Sequence, residues 1–377
     1  MATEAAPDGR ALRMARRARA LAQMREYGFD MVVLGRQANV RYVTGVPQLW
    51  VAGTRPFGPV CVVDVATGDI HLNSTWDEGV PEEIDHDHLY GLTWSPMALI
   101  EALKNIDGTS TARRVGSDAI TPTFAELLPT AFPNAELLNA EPAMRAARRI
   151  KTPEELAALG VAVGVAEAGM RAGVANLSPG VAEKAVAGAV LEARAAGGVT
   201  TSASQDAAWV TSREHPWQRA EGDGRVRPGD LVALSAGALA NGYVGEVGRT
   251  FCVGDDETEA VRALYRRSDA LGERLLAACR PGAVATELFA AYEAAGEPLP
   301  VTPIAHGLGL GFDPPVLSPA LPRTAAAERL DSGMVLAVTN YVWQQGVGAV
   351  FRRDAVCIDD DGPRVLSPAV SGSATAS

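Results

Sequence analysis

The stretch SAGALANGYVGEVGRTFCVG, residues 235–254, constrains the fold most, because its pattern predicts a β-hairpin. Glu246 lies in a strand that is otherwise small and apolar. A carboxylate buried there without a partner would be energetically costly, so something must compensate it. The sequence leaves two possibilities: an ion pair with Arg249 or Arg353, or a role in holding a substrate amine or polarising a water molecule.

The composition limits the class of protein. A chain of 377 residues with 47% apolar content is long enough for two domains of roughly 100–200 residues. Its net charge of −11 and pI near 5.1 argue against a nucleic-acid surface, which needs clustered basic residues. No apolar run approaches the roughly 18 residues needed to span a bilayer, and no hydrophobic stretch follows the basic N-terminus. We expect a cytoplasmic protein whose partners are small molecules or proteins, with no nucleic acid and no membrane.

The four cysteines are far apart and form no CxxC pair. They are Cys61, Cys252, Cys279 and Cys357. Because two of them lie in apolar, strand-like runs, we expect buried free thiols.

The first part of the chain, residues 1–147, is predicted to be an α/β domain. Residues 10–27 have a helical apolar period and are followed by a short apolar strand at 31–34. Residues 60–73 read as two strand segments joined at a Thr-Gly-Asp turn, residues 67–69.

A second domain, 148–368, is predicted to begin at Arg148. Thr152 can cap a helix, Pro153 suits its first position, and Glu155 completes a capping box. The tail 369–377 is small and polar, which predicts disorder. The remaining expectations are a helix at 180–196, a strand region at 199–212, helices at 256–278 and 284–295, and strands at 333–342 and 348–358.

Five stretches of the second domain carry a family resemblance in order and spacing. They are KTPEEL, GDLVALSAGALANGYVGEVGRTF, HGLGLG, LDSGMVLAVTNYVW and FRRDAVCIDDDGPRVLS. Together they resemble the pita-bread superfamily of creatinase, prolidase and aminopeptidase P. The resemblance implies an α/β (α+β) chain in which an N-terminal creatinase-like domain precedes a C-terminal pita-bread domain.

Metallopeptidases of this superfamily hold two metal ions with two Asp, one His and two Glu. The matching positions here carry a different set: Ser235, Glu246, His306, Thr339 and Arg353. Two hard divalent cations need anionic oxygen ligands, and an arginine would repel them. The prediction is a site with no metal and no other cofactor.

Creatinase provides a metal-free precedent within the superfamily, because it uses a histidine in place of metal-bound water. His215 stands at the matching position, fifteen residues before Asp230. The resemblance also implies a homodimer in which Arg55, in TRPFG, reaches the neighbouring site. The two glutamates that grip the creatine guanidinium fall at Gly248 and Thr339, so a less positive substrate is expected.

The predicted catalytic residues are His215, His306 and Glu246. His215 would be the general acid and base, His306 would hydrogen-bond a substrate or an oxyanion, and Glu246 would position a water or reacting group. Each has a structural alternative, such as a packed histidine or an ion-paired carboxylate.

The predicted substrate-binding residues surround that set. Arg353 would clamp an anionic group or neutralise Glu246, and Arg55 would bind the same anionic end. Asp313 would orient His306 or cap the turn at the two following prolines. Tyr243 is a possible hydroxyl donor. Thr339 and Ser235 complete the set, with Ser235 read as a packed hydroxyl rather than a nucleophile.

Three functions follow from the sequence. The first is a metal-independent, creatinase-like hydrolase or lyase that cleaves a C–N or similar bond in a small anionic or zwitterionic, carboxylate-bearing molecule. The second is a non-catalytic pita-bread binding protein. The third is a Xaa-Pro metallopeptidase with one displaced metal on His306, Glu246 and Asp313.

Overall fold

The structure of the protein is a computed structural model. It describes residues 9–46, 61–74, 79–91, 93, 95–118, 121–199, 201–203, 207–254, 257–321 and 328–367. The chain divides into two compact units between Arg148 and Arg149, and each unit is described by itself.

The N-terminal unit is built on a mixed sheet with strand order β4-β3-β2-β1-β5-β6. The central strand β1 pairs antiparallel with β2 and parallel with β5. Its apolar face is covered by helices whose leucines, isoleucines and phenylalanines are buried. The elements in chain order are α1 (Gly9–Glu26), β1 (Met31–Leu34), α2 (Gln37–Thr44), β2 (Cys61–Asp64), β3 (Ile70–Asn73), β4 (Leu89–Tyr90), α3 (Pro96–Lys104), β5 (Arg114–Ser117), α4 (Pro122–Ala131), β6 (Glu136–Asn139) and α5 (Glu141–Arg149).

The C-terminal unit is built on a second sheet with strand order β11-β10-β12-β13-β9-β8-β7, and β14 pairs with β13. Its elements are α6 (Pro153–Ala175), α7 (Glu183–Ala196), β7 (Ala207–Val210), β8 (Leu231–Ala240), β9 (Tyr243–Cys252), α8 (Glu259–Ala278), α9 (Glu287–Ala295), β10 (Ala305–Leu308), β11 (Phe312–Leu317), β12 (Val335–Gln344), β13 (Gly348–Asp359) and β14 (Gly362–Val365). The helices α6, α7 and α8 pack on the sheet, α6 also packs on α7, and α9 packs on α8.

Helix α6 begins with the predicted capping box. The Thr152 hydroxyl accepts a hydrogen bond from the Glu155 backbone N–H at 3.2 Å, and the Glu155 carboxylate accepts one from the Thr152 N–H at 3.0 Å. By length and composition alone, this described helix could span a membrane, which the sequence reading did not anticipate. It packs against α7, β8 and β9, as a core helix does.

The predicted hairpin consists of β8 and β9. Asn241 and Gly242 both have positive φ, as a two-residue hairpin turn requires. Because strand side chains alternate, Gly245 faces α6, where a Cβ would lie 2.3 Å from the Ala162 backbone. Glu246 and Gly248 therefore face the other side of the sheet.

The predicted fold class is confirmed: a creatinase-like α/β domain precedes a pita-bread domain. All four cysteines are buried and free. Burial raises the pKa of the Cys279 thiol to about 12, which keeps this thiol protonated and unreactive at neutral pH.

Candidate active site

One row of residues crosses four strands of the second sheet. Ser235 in β8 is paired with Gly248 in β9, Gly248 with Arg353 in β13, and Arg353 with Thr339 in β12. Paired residues point to the same face of a sheet, so these positions share one surface. Glu246 lies two residues before Gly248 and shares that face.

Four side chains on this face form a polar cluster: Glu246, His306, Thr339 and Arg353. Arg353 Nη1 donates to Glu246 Oε2 at 3.2 Å, and Arg353 Nε donates to the Thr339 hydroxyl oxygen at 3.1 Å. His306 Nε2 lies 3.3 Å from the same Glu246 oxygen. Of the two arginines considered as partners of Glu246, the structure therefore selects Arg353.

Arg249 has a different partner. It lies on the opposite face of β9 and forms an ion pair with Asp354 at 2.6 Å, and both side chains are buried. The alternation of the strand separates the two arginine–carboxylate pairs, one on each face of the sheet.

Phe351 packs next to the polar cluster, beside Arg353 and Gly248. The guanidinium carbon of Arg353 lies 5.4 Å from the centroid of the Phe351 ring, within cation–π range. A Cβ on Gly248 would lie 2.3 Å from the edge of that ring. Gly248 therefore provides the space for Phe351. The His306 ring is held edge-on against Phe312, with centroids 4.6 Å apart.

The electrostatics of the cluster keep Glu246 ionised. Burial by itself would raise the pKa of this carboxyl group. The neighbouring His306 imidazole and the positive charge of Arg353 outweigh burial, and the net result is a pKa below the ordinary glutamate value.

Asp313 lies apart from this set of contacts. Its carboxylate is buried and lies 3.6 Å from Lys151 Nζ. A Cβ placed on Gly309 would lie 2.4 Å from the same carboxylate. The roles predicted for Asp313, which are orienting His306, capping the turn at the two prolines or sharing a metal with His306, stay predictions. Among the described residues, no three His, Cys, Asp or Glu side chains are grouped as a metal site.

Tyr243 is also placed away from the cluster. Its ring is fully buried, and its hydroxyl donates to Glu155 Oε1 at 3.1 Å, next to the capping box of α6. Tyr243 is three residues from Glu246 and so faces the opposite side of β9. The structure gives it a role in packing α6 rather than in binding a substrate.

His215 is exposed on the segment between β7 and β8. Its backbone N–H donates to the Ser212 hydroxyl at 3.1 Å. Within the described ranges, no hydrogen bond or ion pair joins its side chain to the polar cluster. Ser235 is half-buried and lies at the end of the row, beyond Gly248. Arg55 lies outside the described residues.

Sequence reasoning missed the aromatic residues that border the cluster. Trp217 stacks on Tyr341 with ring centroids 3.7 Å apart, and the Trp217 backbone N–H donates to the Tyr341 hydroxyl at 2.7 Å. Phe351 could have been found from spacing, because a residue two positions before Arg353 must share its face. The contact between Trp217 and Tyr341 had no such signal, since 124 residues separate them.

The chain belongs to metallopeptidase family M24. The family model matches residues 157–360, more than half of the chain, and a creatinase/prolidase N-terminal domain matches residues 16–150. The hairpin and the row of cluster residues lie within the first match.

Individual proteins agree with this membership. The chain is 27% identical over 227 residues to an Xaa-Pro dipeptidase of Pyrococcus furiosus, covering 58% of this chain and 63% of that one. It is 28% identical over 243 residues to the uncharacterized peptidase YqhT of Bacillus subtilis, covering 62% and 66%. The aligned parts thus cover just under two thirds of each relative. The Xaa-Pro dipeptidase of Bacillus anthracis has the same fold, with a TM-score of 0.76, 18% identity, and coverage of 94% and 98%.

These findings correct the first predicted function. The prediction of a metal-independent lyase or hydrolase that cleaves a non-peptide C–N bond is wrong, because the family is a peptidase family and the similar proteins are described as dipeptidases. A non-catalytic binding protein gains no support from them either.

The residues present do not fit the metal pair that the family name implies. The family's metal positions offer one carboxylate, one imidazole, two neutral hydroxyls and one guanidinium, and the guanidinium is bonded to the carboxylate. Divalent ions of this kind prefer several anionic oxygen ligands. The chemistry of the site must therefore be sought in the side chains themselves.

Proposed function

We propose that this chain hydrolyses short peptides at the polar cluster. Membership in a peptidase family supports a peptide substrate, and one relative is named as an Xaa-Pro dipeptidase. The observation that carries the proposal is the Glu246 carboxylate, which is held between a guanidinium and an imidazole on the face of the M24 hairpin. A free dipeptide is zwitterionic, which suits a site with one fixed charge of each sign.

His306 and Glu246 form the proton-transfer pair in this proposal. The lowered pKa of Glu246 keeps its carboxylate charged at neutral pH, and one carboxylate oxygen lies 3.3 Å from Nε2 of the imidazole. We assign the other ring nitrogen, Nδ1, to proton exchange with the attacking water and the leaving amine. General acid–base catalysis by a positioned histidine contributes about 10²–10⁴-fold to a rate.

Arg353 provides the electrostatic part of the proposed reaction. Negative charge develops on the peptide carbonyl oxygen as water attacks, and a fixed cation stabilises it without having to reorganise. The guanidinium is fixed by Glu246, Thr339 and Phe351, so its direction is set before a substrate arrives.

The test is a panel of dipeptides, both Xaa-Pro and others, with release of free amine as the readout. We expect turnover by the wild-type protein and a loss of about 10²-fold or more in kcat/KM for His306→Ala and Glu246→Gln. His215→Ala is the matched comparison, because it removes a second histidine from an exposed segment, and it should retain most of the turnover. Absence of cleavage across the panel, or full activity of His306→Ala, contradicts the proposal.

A further inference from the structure

We infer that the Arg353 guanidinium takes the place of divalent cations in this chain, so that the site is held together without a metal ion. The inference concerns the cation chemistry of the site and goes beyond the proposed function. It needs no substrate and stands whether or not peptides are cleaved.

The first step is the position of the guanidinium. Arg353 Nη1 donates a hydrogen bond to Glu246 Oε2, the same oxygen that lies next to His306 Nε2. Glu246 and His306 are the two residues of the cluster whose types commonly bind metals, and the guanidinium charge lies beside both. A metal ion brought to that oxygen would meet a fixed like charge. The repulsion between like charges is stronger at a partly buried site than in water, and it is larger for a divalent ion than for a monovalent one.

The second step is that the guanidinium is held in place. Nε donates to Thr339, Nη1 donates to Glu246, and the guanidinium carbon lies 5.4 Å from the centroid of the Phe351 ring. Phe351 in turn depends on the missing side chain of Gly248. The Arg353 side chain is only 14% exposed. A cation could displace it only by breaking both bonds and leaving a buried guanidinium without partners.

The third step is the chemistry of the neighbours. The Thr339 hydroxyl oxygen accepts from Arg353, and the other hydroxyl in the row, Ser235, is a neutral oxygen. Neither supplies the negative charge that offsets a divalent ion. The guanidinium and the single carboxylate balance each other, which leaves no net charge to attract a cation.

The experiment replaces the Arg353 guanidinium with a carboxylate, which can bind a metal ion. Arg353→Glu removes the guanidinium and places a carboxylate beside Glu246 and His306, giving three donors, the number that protein sites commonly supply to one zinc ion. Each protein is incubated with Mn²⁺ or Zn²⁺, desalted, and analysed for metal by mass spectrometry and for thermal unfolding. We expect less than about a tenth of an equivalent on the wild-type protein, and about one on Arg353→Glu with a metal-dependent rise in Tm.

Arg353→Gln is the matched control, because it removes the same charge without adding a carboxylate, and it should retain no metal. If Arg353→Glu does not fold, Thr339→Glu/Arg353→Gln adds the carboxylate from the neighbouring strand instead. One or more equivalents held by the wild-type protein overturn the inference. So does a folded carboxylate variant that retains no more metal than the glutamine control.

Discussion

At the scale of single residues, the energetics of the site depend on one buried ion pair. The side chains of Glu246 and Arg353 are 2% and 14% exposed, so each depends on the other for its charge compensation. Removing one partner of such a pair is far more costly than removing both, because the remaining charge stays buried.

The first prediction is a double-mutant cycle on this pair. Arg353→Gln leaves the Glu246 carboxylate without its cation and should lower the free energy of unfolding by about 3–5 kcal/mol. Glu246→Gln/Arg353→Gln should cost less than Arg353→Gln alone, because no charge is left unpaired. Urea denaturation at pH 7 measures all four corners. A double variant at least as unstable as the sum of the single variants would refute the pairing.

The second prediction concerns the support of Arg353. Gly248→Ala places a methyl group 2.3 Å from the ring edge of Phe351, which must move and withdraw its contact with the guanidinium. Overpacking of this kind costs about 1–3 kcal/mol. Phe351→Leu in the same chain should recover part of the loss by making room. If Gly248→Ala alone is as stable as the wild-type protein, the packing argument fails.

At the scale of elements, the hairpin and the capped helix were the easiest parts to predict. Both have local signals: a period of two around Gly242, and Thr152, Pro153 and Glu155 at the start of α6. The short helices α2 and α5 were not predicted, because eight or nine residues give too few turns for a clear apolar period. The strand pair β10 and β11 was hidden by its glycines and prolines.

The third prediction compares two helix caps. Thr152→Ala breaks a reciprocal capping box whose Glu155 also accepts from Tyr243, whereas Thr258→Ala breaks a single bond to the Val261 N–H at the start of α8. Both should destabilise by about 0.5–2 kcal/mol, with Thr152→Ala nearer the upper end. Thermal unfolding of the two variants decides the order. Equal losses would show that the reciprocal arrangement adds nothing.

The candidate site itself could be predicted only in part. The positions Glu246, His306, Thr339 and Arg353 were found from the family pattern, and the structure brings all four together. Tyr243 lies on the face of β9 opposite Glu246, because chain proximity to the motif residues does not fix the face of a strand on which a side chain lies. The roles predicted for Asp313 stay predictions. Gly245 and Glu246 are neighbours in β9 and so point to opposite faces of the sheet, with Gly245 facing α6 and Glu246 facing the polar cluster.

At the scale of the whole molecule, the chain has the fold of its family, while the residues at the family's metal positions are a different set. Fold and function are set by different residues: apolar alternation builds the sheet, and a few polar positions on one face determine its chemistry. The homodimer with Arg55 and the cytoplasmic location stay predictions from the sequence.

The fourth prediction is the response of the molecule to acid. Glu246, Glu83 and Asp359 each have a pKa below the ordinary value: burial alone would raise it, but hydrogen bonds and neighbouring arginine charges outweigh that effect. Their stabilising contribution is complete above the unfolded-state pKa of about 4 and is lost as the pH falls through the lower folded-state values. The free energy of unfolding should therefore decrease below about pH 4.

Thermal unfolding from pH 3 to pH 8 measures this dependence. Glu246→Gln/Arg353→Gln should show a shallower decrease in acid than the wild-type protein, because one of the three groups has been removed. A profile with the same acid slope in both proteins would show that the Glu246 pair does not contribute.

By our inference, the Arg353 guanidinium stands where the family's metal ions would be expected. The most direct measurement is anomalous X-ray diffraction from wild-type crystals soaked in Mn²⁺, recorded at the manganese absorption edge. We expect guanidinium density hydrogen-bonded to Glu246 and no anomalous peak beside that carboxylate. A manganese peak on Glu246 and His306, with Arg353 turned away, would contradict it.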